Sequence, residues 1–375
     1  MVDLALKMLL DDKNRFLVTV LGVGFAVALV LIQVGLFFGL LENASITIEK
    51  LNADLWVMAR NTPNVDFANP FPENYVQRVR SIPGVAWADN LIVWYAVVAL
   101  PSGAKESVIY YGLEDFGRWG FPWKIIEGDT ANLRRGRFVM LDESAERRFG
   151  PFEVGDYREF QGRRLKIIGR TQEARSFTTN PMAFIDYQLA QSLSPDELSG
   201  RTTFILVRLE PWASAEEVRE EIRYRLPYND VHTQSQWASI SRRYWIESTG
   251  LGLTIFLTVF LGALVGVVIV AQTLYASTTE HLPEFGTMKA LGARDRDIYG
   301  LIGEQAMFAS VLGFLLGLGM TLGIEPLLVL LDMKMIVTPT VAALVFLGTQ
   351  LLCLVASMLS FQKVAALDPA IVFRG

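Results

Sequence analysis

Four long stretches without charged side chains constrain this sequence more than any other feature. They run from Phe16 to Leu41, Ser248 to Thr279, Gln305 to Ile324 and Met335 to Gln362. A helix needs about 20 residues, at about 1.5 Å each, to cross a hydrocarbon core of about 30 Å. Because lipid offers the backbone no hydrogen-bond partners, and because the stretches are too long for barrel strands, we expect four transmembrane helices.

The first stretch is interpreted as a retained anchor. Its apolar run is far longer than the about 7 to 15 residues of a signal-peptide core, and no small-residue cleavage site follows it.

The spacing of the four stretches predicts a large water-soluble domain between the first and the second. The 206 residues from Glu42 to Glu247 hold 25 of the 34 Lys and Arg and 28 of the 39 Asp and Glu residues. The overall composition, 51% hydrophobic and 19% charged, therefore averages two different populations. The predicted fold class is an α-helical membrane protein with four transmembrane helices and a large extracytoplasmic α+β domain between helices 1 and 2.

The predicted segments follow from these boundaries. They are an amphipathic cytoplasmic segment (1–15), a first transmembrane helix (16–41), the outer domain with a stalk (42–247), a second helix (248–275), a cytoplasmic loop (276–297), a third helix (298–325), a short external loop (326–335), a fourth helix (336–362) and a cytoplasmic tail (363–375).

Basic residues in the short loops predict the orientation, because such residues favour the cytoplasmic side. Eight lie on one side of the helices, namely Lys7, Lys13, Arg15, Lys289, Arg294, Arg296, Lys363 and Arg374. Five lie near the helices on the other side, namely Lys50, Arg60, Arg242, Arg243 and Lys334. The bias places both termini and the 276–297 loop in the cytoplasm and the large domain outside.

Within the outer domain, a helix, a turn and a strand follow one another twice, near 73–90 and near 214–232. The second helix opens with Ser214 and Glu217, the spacing of a capping box. We interpret the domain as paired β-α-β halves around a more β-rich insert, roughly 115–200.

The helical pattern from Gln236 to Glu247 runs without a breaker into the second membrane stretch. It predicts a continuous stalk that could carry mechanical displacement. The alternative is an ordinary juxtamembrane helix with Trp237, Tyr244 and Trp245 at the headgroup level.

The sequence predicts no catalytic, cofactor-binding or metal site. It has no Gly-Lys-Ser/Thr phosphate loop, and its two histidines, His232 and His281, are predicted on opposite sides of the membrane. Cys353 is the single cysteine, and acidic residues outnumber basic ones, so neither a cysteine-held metal nor nucleic acid is an expected ligand.

Polar residues within the membrane stretches are functional candidates, since they are costly in lipid. The candidate membrane polar sites are Glu304, Glu325, Gln33 and Gln272. Because both carboxylates lie near the ends of the third helix, a structural role is the alternative. Glycines four apart predict close helix packing, and they are Gly35/Gly39, Gly262/Gly266, Gly313/Gly317 and Gly319/Gly323.

The cytoplasmic loop between the second and third helices is the most informative segment. It carries mixed charges and glycines, and we expect Phe285, Met288 and Leu291 to be exposed on it. Such a segment resembles a docking surface, the alternative being a connector whose apolar residues rest on the membrane.

The residues from Glu284 to Ala293 read Glu-Phe-Gly-Thr-Met-Lys-Ala-Leu-Gly-Ala. This run resembles the loop signature of the FtsX/MacB-type ABC permeases, except that Lys289 stands where Arg is common. The tail from Ala365 to Ala370 is similar to the family's proline-containing end. The run from Leu51 to Leu55, with the compact outer domain, resembles the DevC-like branch, and the order of one helix, outer domain and three helices fits the family throughout.

The resemblance implies an exporter-type permease of the bacterial inner membrane that works as a homodimer. It implies a separate ABC ATPase, which uses ATP and Mg, and in DevC-like members a periplasmic adaptor, an outer-membrane channel and glycolipid export. A lipid, glycolipid or other hydrophobic compound would be the cargo, with membrane lipid as a further partner. Mechanotransmission would couple the ATPase to the outer domain. The alternative is an FtsX-like transmitter that regulates an envelope hydrolase or a stress signal without transport.

By the same resemblance, the ATPase-coupling residues are expected in the loop. They are Glu284, Phe285, Gly286, Met288, Lys289, Ala290, Leu291 and Gly292.

Overall fold

The computed structural model describes residues 13–174, 176–178, 181–331 and 333–365. The chain divides into two compact units. The membrane unit comprises Met1–Gly39 and Leu251–Gly375, and the outer unit comprises Leu40–Gly250. Most of the predicted amphipathic segment (1–15) and of the predicted tail (363–375) lies outside the described residues.

The helices and strands of the described residues are numbered in chain order. The helices are α1 (Lys13–Asn43), α2 (Ile46–Lys50), α3 (Tyr75–Arg80), α4 (Glu146–Phe149), α5 (Tyr187–Leu193), α6 (Pro195–Leu198), α7 (Ala215–Arg225), α8 (Gln234–Ser248), α9 (Leu251–Glu280), α10 (Leu282–Ala290), α11 (Asp295–Leu330) and α12 (Pro339–Ala365). The strands are β1 (Leu55–Ala59), β2 (Phe71–Pro72), β3 (Val85–Ala99), β4 (Lys105–Leu113), β5 (Ile125–Glu127), β6 (Phe138–Asp142), β7 (Tyr157–Phe160), β8 (Arg163–Thr171), β9 (Met182–Asp186), β10 (Arg201–Thr202), β11 (Phe204–Leu209) and β12 (Asn229–Thr233).

Among the described residues, four helices are long and apolar enough to cross a membrane. The spans are Phe16–Asn43, Leu251–Glu280, Arg296–Leu330 and Pro339–Met358. With the sheet-rich domain between the first span and the others, the predicted fold class is confirmed.

The helix boundaries differ from the predicted ones. Helix α9 continues to Glu280, beyond the predicted end at 275, and α11 continues through Pro326 to Leu330, beyond the predicted end at 325. A proline inside a helix removes one backbone donor, a cost that membrane helices tolerate where neighbouring groups compensate. The external loop, predicted over 326–335, therefore begins about one helical turn later in the structure than predicted.

Glycines bring α1 and α11 close together in the membrane unit. A Cβ built on Gly317 would lie 2.6 Å from the carbonyl oxygen of Gly24 and 2.7 Å from the Cβ of Val27. A Cβ on Gly313 would lie 2.5 Å from a methyl group of Val23. The predicted Gly313/Gly317 pair thus lies in a helix contact within the chain, where nothing larger than glycine fits.

Four strands of the outer unit form an antiparallel sheet in the order β12-β1-β11-β3. Helix α3 connects β1 to β3, and α7 connects β11 to β12. Both helices bury apolar side chains, including Val79 and Ile222, against one face of this sheet. These are the two β-α-β halves that the sequence predicted.

The strands of the insert between the halves form a closed ring with β3. Beyond β3, hydrogen-bonded neighbours follow in the order β3-β4-β9-β6-β8-β7, and β7 pairs back with β3 through Val98 and Phe160. One face of these six strands carries a shared buried cluster that includes Val108, Leu141 and Ile167. A closed ring leaves no free edge among these strands, so their polar backbone groups are paired internally.

The predicted continuous stalk is wrong. Helix α8 starts at a capping box, in which Thr233 and Gln236 exchange side-chain and backbone hydrogen bonds, and it ends at Ser248. Gly250 has a φ of +72°, and α9 starts only at Leu251. A left-handed residue cannot continue a right-handed helix, so the glycine separates the two.

Candidate functional site

The predicted cytoplasmic loop contains a helix of its own. After α9 ends at Glu280, His281 precedes α10, and Pro283 occupies the first turn, where a missing N–H costs nothing. The His281 Nδ1 lies 2.8 Å from Glu284 Oε2. The predicted loop (276–297) is therefore the last turn of α9, α10, a short connection and the first residues of α11.

The C-terminal end of α10 is a Schellman motif. The Gly292 N–H donates to the Lys289 carbonyl at 3.0 Å, and the Ala293 N–H donates to the Met288 carbonyl at 3.0 Å. Gly292 has a φ of +96°, which a residue with a Cβ adopts only at a cost. The two bonds satisfy carbonyls that a helix end otherwise leaves to water.

Phe285 is the anchor of α10, which corrects its predicted exposure. Its side chain is 1% exposed, and it packs with Ile298, Leu301 and Ile302 of α11, with Met288 beside them. An apolar aromatic side chain that is fully buried contributes several kcal/mol through contacts and area removed from water. Phe285 therefore fixes α10 against α11 and is not itself a contact surface.

The other predicted coupling residues differ in exposure. Leu291 is 89% exposed and directly precedes the Schellman glycine. Glu284 is exposed, Lys289 is half-buried, and Gly286 is buried. Ala290 is the last residue of α10. The segment thus combines a buried anchor on one side with an exposed leucine and charged side chains on the other.

The candidate membrane polar residues do not form one site. Gln33 is half-buried on α1, Gln272 is exposed on α9, and Glu325 is exposed on α11. Glu304 does not simply face water, as its predicted place near the helix end suggested. Its Oε2 is buried and has no hydrogen-bond partner among the described residues.

A polar contact that the sequence did not predict joins α11 to α12. The Ser310 hydroxyl donates to Gln350 Oε1 at 2.8 Å. Such a bond inside an apolar bundle fixes the pairing of two helices, because lipid offers no alternative partner.

In the outer unit, the first residues (44–51) are hydrogen-bonded to the start of helix α8 (234–242). The Gln234 side chain donates to the carbonyls of Ile48 at 3.0 Å and Leu51 at 2.8 Å. The Ser241 hydroxyl donates to the Ala44 carbonyl at 2.6 Å, and Arg242 pairs with Glu49 at 2.6 Å. We call this set of contacts, between residues 44–51 and residues 234–242, the clamp.

The last turns of α8 are braced by an aromatic cluster. Phe67 contacts Tyr244 and Trp245, with ring centroids 6.3 and 5.7 Å apart, and Phe177 stacks on Trp245 at 3.8 Å. Next to Phe67, the buried Asp66 accepts a hydrogen bond from Ser176 at 2.9 Å. Burial raises the pKa of Asp66 to about 6, although the hydrogen bond lowers it.

Family models match most of the chain. A model described as the MacB-like periplasmic core domain matches residues 16–224, and one described as the FtsX-like permease C-terminal matches residues 256–369. The chain belongs to the MacB/FtsX family of ABC transporter permeases. The resemblance in the α10 segment is thereby confirmed at the level of this family.

Known proteins with similarity to the permease include bacterial relatives of different lengths. An uncharacterized ABC transporter permease of Mycobacterium bovis is 23% identical over 368 residues, which cover 97% of this permease and 96% of the relative. The macrolide export ATP-binding/permease protein MacB of Psychrobacter arcticus is 23% identical over 384 residues, which cover 95% of this permease and 56% of MacB. The periplasmic region of MacB from Actinobacillus actinomycetemcomitans matches at a TM-score of 0.40 and 12% identity, over 50% of this permease and 92% of that chain.

Membership of the family implies an ATPase partner for the permease. The four apolar helices and the periplasmic-type domain fit a membrane permease.

Proposed function

We propose that this permease is the membrane subunit of an exporter in which a separate ATPase drives the outer unit by mechanotransmission. The membrane is the bacterial inner membrane, with the outer unit in the periplasm. The cargo is a lipid, glycolipid or other hydrophobic compound that a periplasmic adaptor and an outer-membrane channel carry onward, as in a DevC-like system. ATP and Mg are bound by the ATPase.

The construction of α10 carries this proposal. A surface that transmits force needs an exposed contact and a rigid connection behind it. Leu291 provides the contact because it is 89% exposed, and Phe285 provides the connection because it is buried against α11. An isolated exposed leucine costs little in a monomer, but it becomes an anchor when a partner's pocket removes it from water.

The clamp supports the second half of the proposal. Residues 44–51 follow α1, and residues 234–242 precede α9, so the clamp joins the two connections of the outer unit to the membrane unit. A displacement of either connection is therefore passed to the other through the bonds of Gln234 and Ser241. The outer unit can respond as one body only if its two connections do not move independently.

A groove in the membrane unit supports a homodimer. It has a volume of about 450 Å³ and lies between α1, α9 and α12, with Gly266 and Gly348 among its lining residues. Small residues let a neighbouring helix approach closely in lipid. We expect Ala263→Cys, in a Cys353→Ser background, to form a disulfide-linked dimer upon oxidation in membranes. Leu315→Cys on α11, which is not in the groove, is the control.

Co-purification with the cognate ATPase tests the assignment of α10. We expect Leu291→Ser to reduce the recovered complex about tenfold or more, because a buried leucine in an interface contributes about 1.5 to 3 kcal/mol. Lys289→Glu should weaken the complex further by reversing a charge. The matched control is Trp212→Ser, which removes another exposed apolar side chain, 73% exposed, from the outer unit.

The readouts are the ATPase to permease ratio and the rate of ATP hydrolysis in nanodiscs. The thermal stability of each variant shows that the fold is intact. If Leu291→Ser combined with Lys289→Glu leaves both readouts at the wild-type level, α10 is not the coupling surface.

A further inference from the structure

A polar pocket of about 420 Å³ lies in the outer unit, where α7, β12 and α8 meet. It is lined by Arg219, Arg223, His232, Gln236, Ser239, Ile240 and Arg243. The three arginines project from two different helices, and the histidine comes from an edge strand of the sheet. The volume is within the range of about 300 to 1,000 Å³ that small-molecule sites occupy.

The arginines are only partly neutralised. Arg223 pairs with Glu220 at 2.8 Å, and Arg219 pairs with Glu216 and, at 3.7 Å, with the same Glu220. Both carboxylates are mostly exposed, so solvent and salt screen these pairs. Arg243 is exposed, and no carboxylate among the described residues lies within 4.0 Å of it. Arg243 is therefore the pocket arginine whose charge has no carboxylate partner among the described residues.

One donor in the pocket has no partner in the described part of the chain, and the histidine ring has a defined orientation. The Arg219 side chain is only 12% exposed, its Nη1 donates to Gln236 Oε1 at 3.0 Å and its Nη2 pairs with Glu216, while its buried Nε–H has no hydrogen-bond partner in the described part of the chain. The His232 ring lies parallel to the Trp237 ring, with an interplanar angle of 5°, which holds its orientation. Burial lowers the pKa of His232, and the charges of Arg223 and Arg219 lower it further against the opposing effect of Asp230.

We propose that this pocket binds a phosphate group, either of a soluble phosphorylated compound or of a lipid headgroup. Guanidinium groups donate parallel hydrogen bonds that match phosphate oxygens, and several of them around one cavity are typical of phosphate recognition. The Ser239 hydroxyl and the Gln236 side chain, on the same face of α8 as Arg243, add neutral donors. This site is independent of α10 and of the coupling assigned to it.

The position of Arg243 in the chain is the reason for testing a lipid headgroup as a source of the phosphate. Only seven residues lie between it and Leu251, where the second membrane span starts.

Binding by the full-length permease in maltoside micelles, whose detergent carries no phosphate, tests the proposal. Pyrophosphate and glycerol phosphate are titrated as soluble probes, and the total tryptophan emission and the heat of binding are recorded. In a second arm, native mass spectrometry measures how strongly added phosphatidylglycerol is retained relative to phosphatidylcholine. We expect saturable binding in at least one arm, and the arm that responds identifies the source.

The variants are Arg243→Gln and Arg219→Gln, with Arg242→Gln as the matched control. Arg242 is the next residue on α8 and pairs with Glu49 in the clamp, away from the pocket. Each pocket variant should weaken binding about tenfold, as expected for the loss of one hydrogen bond to a charged group, whereas the control should bind like the wild type. The proposal is overturned if neither arm responds, or if Arg242→Gln weakens binding as much as Arg243→Gln.

Discussion

The α10 segment and the clamp are both short connections at the edge of a larger body, but they are held in different ways. Helix α10 depends on one buried aromatic side chain, Phe285, and leaves Leu291 exposed. The clamp depends on directional hydrogen bonds, from Gln234 and Ser241 to backbone carbonyls. One close-packed apolar anchor holds α10 in place and leaves its other side free, whereas several directional bonds fix the register of two segments. The first arrangement suits a surface that receives a partner, and the second suits a junction that must not slip.

The largest expected effect comes from the anchor of α10. Phe285→Ala removes a fully buried ring and leaves a cavity among Ile298, Leu301 and Ile302, which costs about 3 to 5 kcal/mol. We expect α10 to open locally, and hydrogen exchange of its amides should accelerate strongly. Leu291→Ala is the control and should leave exchange unchanged. Similar exchange in both variants would mean that α10 is held by something other than Phe285.

The anchor also marks where prediction from sequence reached its limit. Phe285 and Leu291 are both apolar residues in a glycine-punctuated segment, and neither periodicity nor composition says which of them faces α11. In the structure, the rotation of α10 about its axis places Phe285, and not Leu291, against Ile298 of α11. The coupling role of these residues stays a prediction, but the expected exposure of Phe285 is wrong.

In the membrane unit the sequence was more informative, because the absence of charge over about 20 residues has few physical explanations. The β-α-β halves were also predictable, since local turn and capping signals define them. The ring was not, because the pairing of Val98 with Phe160 joins residues that are distant in the chain. The break at Gly250 was missed because one glycine in an apolar run is compatible with a helix.

A pH-dependent effect is expected beside the clamp. The pKa of Asp66 is raised to about 6 from an ordinary value of 3.8, so between these values the unfolded state loses a proton that the folded state keeps. Its ionisation therefore destabilises the fold as pH rises from about 4 to about 6, and the cost stays constant above that. Asp66→Asn should raise stability by up to about 3 kcal/mol above pH 6 and by almost nothing below pH 4.

Thermal unfolding of the full-length permease between pH 4 and pH 8 measures this effect. The exposed Glu153→Gln is the control and should shift the melting temperature equally little at every pH. A gain from Asp66→Asn that does not depend on pH would contradict a raised pKa as the cause.

A smaller effect is expected in the clamp itself. Gln234→Ala removes the donors to the carbonyls of Ile48 and Leu51, which should cost about 1 to 2 kcal/mol because part of that backbone becomes unsatisfied. Hydrogen exchange should increase in residues 44–51, and ATP hydrolysis by the complex should become less tightly linked to transport. Gln188→Ala, an exposed residue on α5, is the control. Unchanged exchange in residues 44–51 would mean that the hydrogen bonds of Gln234 do not stabilise the clamp.

The smallest effect tests the end of α10. Gly292→Ala places a Cβ at a φ of +96°, where there is open space around it, so that backbone strain alone should cost about 1 kcal/mol. Gly292→Asn adds a Cβ as well, but asparagine tolerates left-handed backbone better, so its cost should be smaller. Both are measured by exchange of the Gly292 and Ala293 amides, whose bonds close the Schellman motif. If the exposure of Leu291 depends on the Schellman motif, Gly292→Ala should weaken the ATPase complex more than Gly292→Asn does. Equal weakening would mean that the partner contacts Gly292 directly. Backbone strain differs between the two variants, whereas both of them place a Cβ in the space that a partner would occupy.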